Sequence, residues 1–303
     1  QGEIIALVNY MTQISLALVV MANLVVIFTK AGASASRVNE IFDETPDISD
    51  GNGATISENA PAVEFKDACF DYGNNGEYEL EGITFSVKRG ETIGIIGSTG
   101  SGKSTLINLI PRFYDTAKGE VFVDGANVKD YIVSDLRRKI GIVPQKSALF
   151  SGTVRENLTI GNENASEETI KKAIRIAQAE DIIERMPEGL DTFIAEGGRN
   201  LSGGQRQRLT IARALVREPE ILILDDSSSA LDYVTDLNLR KAIKEETDNM
   251  TVFIVSQRAN AIKNSDRIVV LDDGRISAIG KHEELLKTSD VYIEICKSQE
   301  VKG

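Results

Sequence analysis

Residues 97–105, GSTGSGKST, constrain the fold of this chain more than any other segment. They follow an apolar run at 92–96 that reads as a strand and open a stretch with helical spacing at 103–110. Strand, glycine-rich turn and helix in that order aim a set of backbone N–H groups at one point before a helix N-terminus, where negative charge is stabilised. The spacing G-x-x-x-x-G-K-[ST] is that of a phosphate loop. Gly97, Ser98, Thr99, Gly100, Ser101 and Gly102 form its turn, Lys103 reaches terminal phosphates, and Ser104, followed by Thr105, offers a hydroxyl to Mg²⁺.

A second glycine-rich segment lies about a hundred residues on: Leu201, Ser202, Gly203, Gly204 and Gln205. Ser202 is the expected cap of a helix reaching Val216, so the N–H groups of Gly203 and Gly204 sit at an anion-favouring end. Directly afterwards, residues 221–226 (ILILDD) read as a buried strand that delivers Asp225 at its C-terminal edge, where open α/β sheets bind ligands. From residue 61 on, apolar runs at 62–67, 83–87, 92–96, 119–123, 140–143, 221–224, 251–255 and 267–271 read as strands. Helical stretches alternate with them, as in an α/β domain.

Ahead of that domain, residues 4–28 carry no charge and are long enough to cross a bilayer, which takes roughly 20 apolar residues. Asn9, Thr12, Gln13 and Asn23 interrupt the run and predict a polar face toward other helices or a water-filled cavity. A signal peptide would begin with cationic residues and have a shorter core, whereas here Glu3 precedes the run and Lys30 and Arg37 follow it. A buried core helix is the other reading of the same residues. The trailing cations would face the cytoplasm. Residues 30–43 keep a helical pattern, and 44–60, rich in Pro, Gly, Asn and Asp, form a linker. Domains are therefore expected at 1–43, a membrane helix with its extension, and 61–303, with a helical subdomain at about 146–216.

The formal charge of −12 argues against a nucleic-acid partner. Cys69 and Cys296 have no Cys or His neighbours at zinc spacing, and His282 is the only histidine.

The phosphate loop and LSGGQ in this order resemble the ATP-binding cassette (ABC) family, and the likeness covers essentially the whole chain. It implies a P-loop fold with a mixed sheet core, an antiparallel β subdomain and an α-helical subdomain, preceded by a last transmembrane helix. It further implies ATP and Mg²⁺ as ligands, Asp225 as the Walker B aspartate, and Tyr72 as the aromatic that stacks on adenine. Gln145 matches the glutamine that contacts Mg²⁺ and the attacking water, and 146–158 the segment that faces coupling helices. In this family LSGGQ covers the γ-phosphate of the opposite subunit, and residues 229–232 (SALD), ending in Asp232, resemble a loop crossing the same interface. The resemblance thus implies a two-cassette dimer. Residues 106–115, 118–125 and 149–158 resemble exporter cassettes more than importer ones, although 192–198 (TFIAEGG) keeps little of the exporter pattern.

Two positions depart from the family. Asp226 stands where a glutamate polarises the attacking water, and its carboxylate falls short by roughly 1.5 Å. Gln257 stands at the switch histidine; it can donate a hydrogen bond but cannot carry imidazolium charge. With Asp226, Gln257 and Gln145 as the catalytic set, the expectation is a site that binds ATP and hydrolyses it poorly. Its LSGGQ would complete the site of a second ABC half-transporter. The chain is then expected to be the C-terminal part of a longer, multi-pass protein of the cell membrane with its cassette in the cytoplasm. A heterodimer is expected and a homodimer left open; a non-transport ABC ATPase and a purely regulatory cassette are the alternatives.

Overall fold

The computed structural model describes residues 2–57, 59–73, 75–247 and 249–300. The chain divides into two units, 1–49 and 50–303.

The first unit is dominated by one helix, α1 (Gly2–Asp43), 42 residues without a break. At 1.5 Å per residue it is roughly 60 Å long, about twice the thickness of a bilayer core. Its most apolar window has a mean hydropathy of 2.2, and none of its residues is buried. The hydroxyls of Thr12, Ser15 and Thr29 donate to carbonyls four residues back, at 2.9, 2.9 and 2.8 Å. These three hydroxyls are therefore satisfied by the helix's own backbone.

In the second unit the strands are β1 (Val63–Phe70), β2 (Leu80–Val87), β3 (Thr92–Gly97), β4 (Lys118–Val123), β5 (Ala126–Asn127), β6 (Ile140–Val143), β7 (Gly152–Thr153), β8 (Phe193–Ile194), β9 (Ile221–Asp225), β10 (Thr251–Val255), β11 (Arg267–Asp272) and β12 (Arg275–Gly280). The helices following α1 are α2 (Lys103–Leu109), α3 (Val133–Arg138), α4 (Val154–Thr159), α5 (Glu167–Ile176), α6 (Glu180–Glu184), α7 (Gly203–Leu215), α8 (Tyr233–Glu246), α9 (Ala259–Ile262), α10 (His282–Thr288) and α11 (Asp290–Glu300).

The main sheet has the order β12-β11-β3-β10-β9-β6, parallel except for β12 at its edge. Strands β9 and β10 carry unbroken apolar runs because both of their faces are covered, the usual condition of a parallel sheet. A second, antiparallel sheet has the order β2-β1-β4-β5, with Phe65 stacked on Phe85 at 4.9 Å. The helices α4, α5 and α7 share a core with β9 and β10, whereas α2 packs with the antiparallel sheet.

Within the described residues this is the mixed-sheet, antiparallel-sheet and helical arrangement that the family resemblance implied. The differences are local. Strand β1 runs on to Phe70 because register shifts after Phe65 and Ala68 absorb the break in its pattern. The edge strand β12 carries no apolar run and was not legible. The boundary between units falls inside the 44–60 segment, whose later part is tied to the second unit by Gly51 N–H to Tyr131 O at 2.9 Å and Ser57 N–H to Asp124 O at 2.9 Å.

Candidate functional site

Four parallel strands deliver their C-terminal ends to one edge of the main sheet. Val255 of β10 is in register with Ile95 of β3 on one side and Asp225 of β9 on the other, and Val143 of β6 is in register with Leu224. The residues that follow these ends are the ones the sequence singled out: the phosphate loop, Asp226, Gln257 and, after Pro144, Gln145.

The phosphate loop turns through Gly100 and Gly102, with φ of +85° and +90°, conformations that glycine adopts without strain. Lys103 is buried inside that turn. Its ammonium donates to the carbonyls of Gly97 at 2.8 Å and Ser98 at 2.6 Å and lies 3.4 Å from Ser101 Oγ. Burial lowers the lysine pKa, and the carboxylates of Asp225 and Asp226 oppose that shift. A cation held by neutral carbonyls in this setting gains most from an anion, so the loop chemistry fits a bound polyphosphate.

Across the loop, the Ser104 hydroxyl donates to Asp225, with oxygens at 3.2 and 3.4 Å. A hydroxyl and a carboxylate converging from two elements are hard oxygen donors of the type Mg²⁺ takes beside phosphate oxygens. Burial raises the pKa of Asp225, Ser104 opposes it, and Asp226 adds to it. Asp226 itself has a φ of +45°, its amide donates to Val255 O at 2.9 Å, and its carboxylate accepts from Gln145 Nε2 at 3.5 Å. A left-handed aspartate is a local strain of the kind that functional sites retain. Burial raises its pKa too, against Gln145, Arg258 and Lys103. Gln257 follows buried Ser256, and its side chain is exposed at the same edge.

Tyr72 is half-exposed and stands edge-on to Phe70 and Tyr114, with ring centroids 4.6 and 5.2 Å away. Its hydroxyl is hydrogen-bonded to Thr105 Oγ1 at 3.2 Å, which ties the aromatic group to the helix that the phosphate loop opens.

LSGGQ opens α7. Ser202 and Gln205 form a reciprocal capping box on α7, with Ser202 N–H to Gln205 Oε1 at 2.8 Å and Gln205 N–H to Ser202 Oγ at 3.3 Å. Leu201 O accepts from Arg206 at 2.6 Å. Asp232 caps α8 through Thr235 N–H and Oγ1 at 3.0 and 2.7 Å, bonds that lower its pKa. Among the described residues no hydrogen bond or ion pair joins 201–205 or Asp232 to the phosphate loop or to Asp225. Hydrogen bonds thus link Lys103 to the phosphate-loop carbonyls, Ser104 to Asp225, Gln145 to Asp226 and Tyr72 to Thr105, and none of these links reaches LSGGQ or Asp232. Arg258, whose charge acts on Asp226, was passed over in the sequence although it adjoins Gln257.

Residues 80–229 match the family model described as ABC transporter. The chain belongs to the ABC transporter family. It is 43% identical over 299 residues to the uncharacterized ABC transporter ATP-binding protein YfiB of Bacillus subtilis, covering 98% of this chain and 52% of that protein. It is 43% identical over 261 residues to the ATP-dependent lipid A-core flippase of Desulfotalea psychrophila, covering 86% of this chain and 45% of that one. A solved bacterial Atm1-family ABC exporter with ATP bound superimposes with a TM-score of 0.84 at 34% identity, over 89% of this chain and 47% of that one. The chain thus spans about half the length of the curated relatives it matches.

The two raised carboxyls of the cassette yield a test. A raised folded-state pKa means that the folded form holds the proton more tightly, so its stabilising contribution is present below the ordinary value near 3.9 and is lost as pH rises through the folded value. At pH 7 ionised Asp225 is therefore a cost in the ligand-free cassette, reduced by partial solvent screening. Asp225→Asn is expected to raise its melting midpoint by roughly 2–4 °C at pH 7, the effect of about 1 kcal/mol in a domain of this size. The gain should shrink toward pH 4, and thermal melts at the two pH values check both statements.

Proposed function

We propose that this chain is the ATP-binding portion of one half of an ABC exporter, with a nucleotide site of its own that binds ATP·Mg²⁺ and hydrolyses it poorly. Lys103 and the 97–105 amides would hold the phosphates, Tyr72 the adenine, and Ser104, Asp225 and Gln145 the metal. The metal would neutralise charge on the phosphates. LSGGQ and Asp232, which make no hydrogen bond to this set, are read as the face that completes the site of a second cassette, in a heterodimer. Export is supported by the lipid flippase name of one relative and by the name of a 41% identical Staphylococcus aureus relative, a putative multidrug export ATP-binding/permease protein. Helix α1 would be the last membrane crossing of a multi-pass protein, with the cassette on the cytoplasmic side.

The observation that carries the poor-hydrolysis reading is Asp226. Its backbone is anchored by Val255 and its carboxylate reaches Gln145 only at 3.5 Å. A base one methylene short, with that anchor, cannot advance on a water without moving β10. Misplacement of about 1 Å costs on the order of a hundredfold in rate. Mg²⁺-dependent ATP turnover of the chain is expected to be slow, and Asp226→Glu with Gln257→His to raise it by about tenfold or more. Wild-type turnover near the enzyme median of about 10 s⁻¹ would instead favour a working homodimer.

A further inference from the structure

The backbone on either side of Arg258 is held by a single side chain from the far end of the sequence. Gln299, in the last turn of α11, donates from Nε2 to the carbonyl of Gln257 at 2.7 Å and accepts at Oε1 from the N–H of Ala259 at 2.9 Å. Ala259 is the first residue of α9, a helix whose N-cap, Arg258, gives no side-chain cap. The Gln299 carboxamide therefore does two jobs with one planar group. It caps the N-terminus of α9 in place of a local residue, and it fixes the peptide that carries Gln257.

Both held positions matter at the sheet edge. Gln257 stands where the family places its switch residue, and Arg258, next to it in the loop, is one of two cations, with Lys103, whose charge opposes the raised pKa of Asp226. The loop has further anchors on its inner side, Ser256 N–H to Ile95 O at 3.1 Å and Arg258 N–H to Ser256 Oγ at 3.0 Å. The outer side rests on Gln299. A carboxamide pairs with both an N–H and a C=O through two atoms of one rigid plane, which an ionised carboxylate, having no donor, does not do.

We propose that Gln299 is a positioning residue of the nucleotide site: it sets the loop bearing Gln257 and Arg258, and so makes ATP turnover depend on the seating of helix α11. The proposal rests on the reading of this edge as an ATP site. Its consequence is that lifting the last turn of α11 releases the switch loop while leaving the phosphate loop, Tyr72 and Asp225 untouched.

The test uses the whole chain in the Asp226→Glu, Gln257→His background, where turnover is measurable. Gln299→Met keeps the volume and removes both bonds. It is expected to lower kcat for ATP by about tenfold with KM within about twofold, and to speed amide hydrogen exchange at Ala259. Gln299→Glu retains an acceptor for Ala259 N–H and loses the donor to Gln257 O, so it should keep exchange slow and still lower kcat. If kcat is unchanged in Gln299→Met, or is restored in Gln299→Glu, the residue only docks α11 and the proposal is wrong. Unchanged exchange at Ala259 in Gln299→Met would overturn the clamp even in a chain that failed to bind ATP, an outcome that by itself counts against the nucleotide-site reading.

Discussion

Lys103→Met is expected to lower ATP affinity by at least about a hundredfold while leaving the cassette folded. The ammonium sits at the centre of the phosphate loop, bonded to the Gly97 and Ser98 carbonyls. Hydrogen bonds to charged groups contribute about 1.5–3 kcal/mol each, and 2.7 kcal/mol is a hundredfold in affinity. The substitution trades two opposing effects in the ligand-free protein. It removes a buried charge whose pKa is lowered by desolvation, and that depressed value means the lysine gives stability only above its ordinary pKa near 10.4 and costs stability at pH 7. It also leaves two carbonyls to find other donors. Those terms oppose each other, so the melting midpoint should move by only a few degrees. ATP at about a hundred times its dissociation constant stabilises the wild-type fold by about 2.7 kcal/mol, and at the same concentration this should fall to about 0.4 kcal/mol or less in the variant. Thermal melts with and without ATP·Mg²⁺ read both quantities at once. A variant that keeps the full shift would place the nucleotide elsewhere.

The parts of the site that are local in sequence were legible, and the parts that depend on tertiary contact were not. The phosphate loop announces itself because its chemistry needs glycine, lysine and serine at fixed spacing, and the structure gives it the strand, turn and helix those residues imply. Strands β9 and β10 were readable because full burial demands unbroken apolar runs, and Asp225 stood out as the charge that ends one of them. Helix α3 was missed because only Leu136 of its six residues is buried, which leaves no apolar period to detect. Strand β12 alternates exposed and half-buried residues and is held mainly by its ladder with β11. Asp226 and Gln257 were noticed only against the family pattern, since nothing in ILILDD or VSQR marks them as short or uncharged substitutes. Gln299 could not have been found that way: its partners lie about forty residues earlier and present only backbone groups, which leave no trace in residue identity.

Gly97→Ala should be strongly destabilising, and the reason is steric, not conformational. Gly97 is the last residue of β3 and lies opposite Leu271 in the parallel ladder with β11. A Cβ there would stand 2.3 Å from the Leu271 carbonyl oxygen and 2.4 Å from Ser101 Oγ. The serine side chain can rotate away, but the carbonyl belongs to a buried central ladder, so β3 and β11 must part. Overpacking of this kind costs up to about 3 kcal/mol, which in a domain of this size lowers the melting midpoint by roughly 6–12 °C. Gly100→Ala supplies the contrast. Its φ of +85° disfavours an L-residue, yet a Cβ at that position meets nothing within 4 Å. It should cost only about 1 kcal/mol, or roughly 2–4 °C, while still disturbing the N–H groups that face the phosphates. Both variants therefore lose ATP affinity, but only Gly97→Ala loses much of its fold. Equal melting midpoints for the two would mean that β3 and β11 separate easily, and that the loop is not held by the sheet behind it.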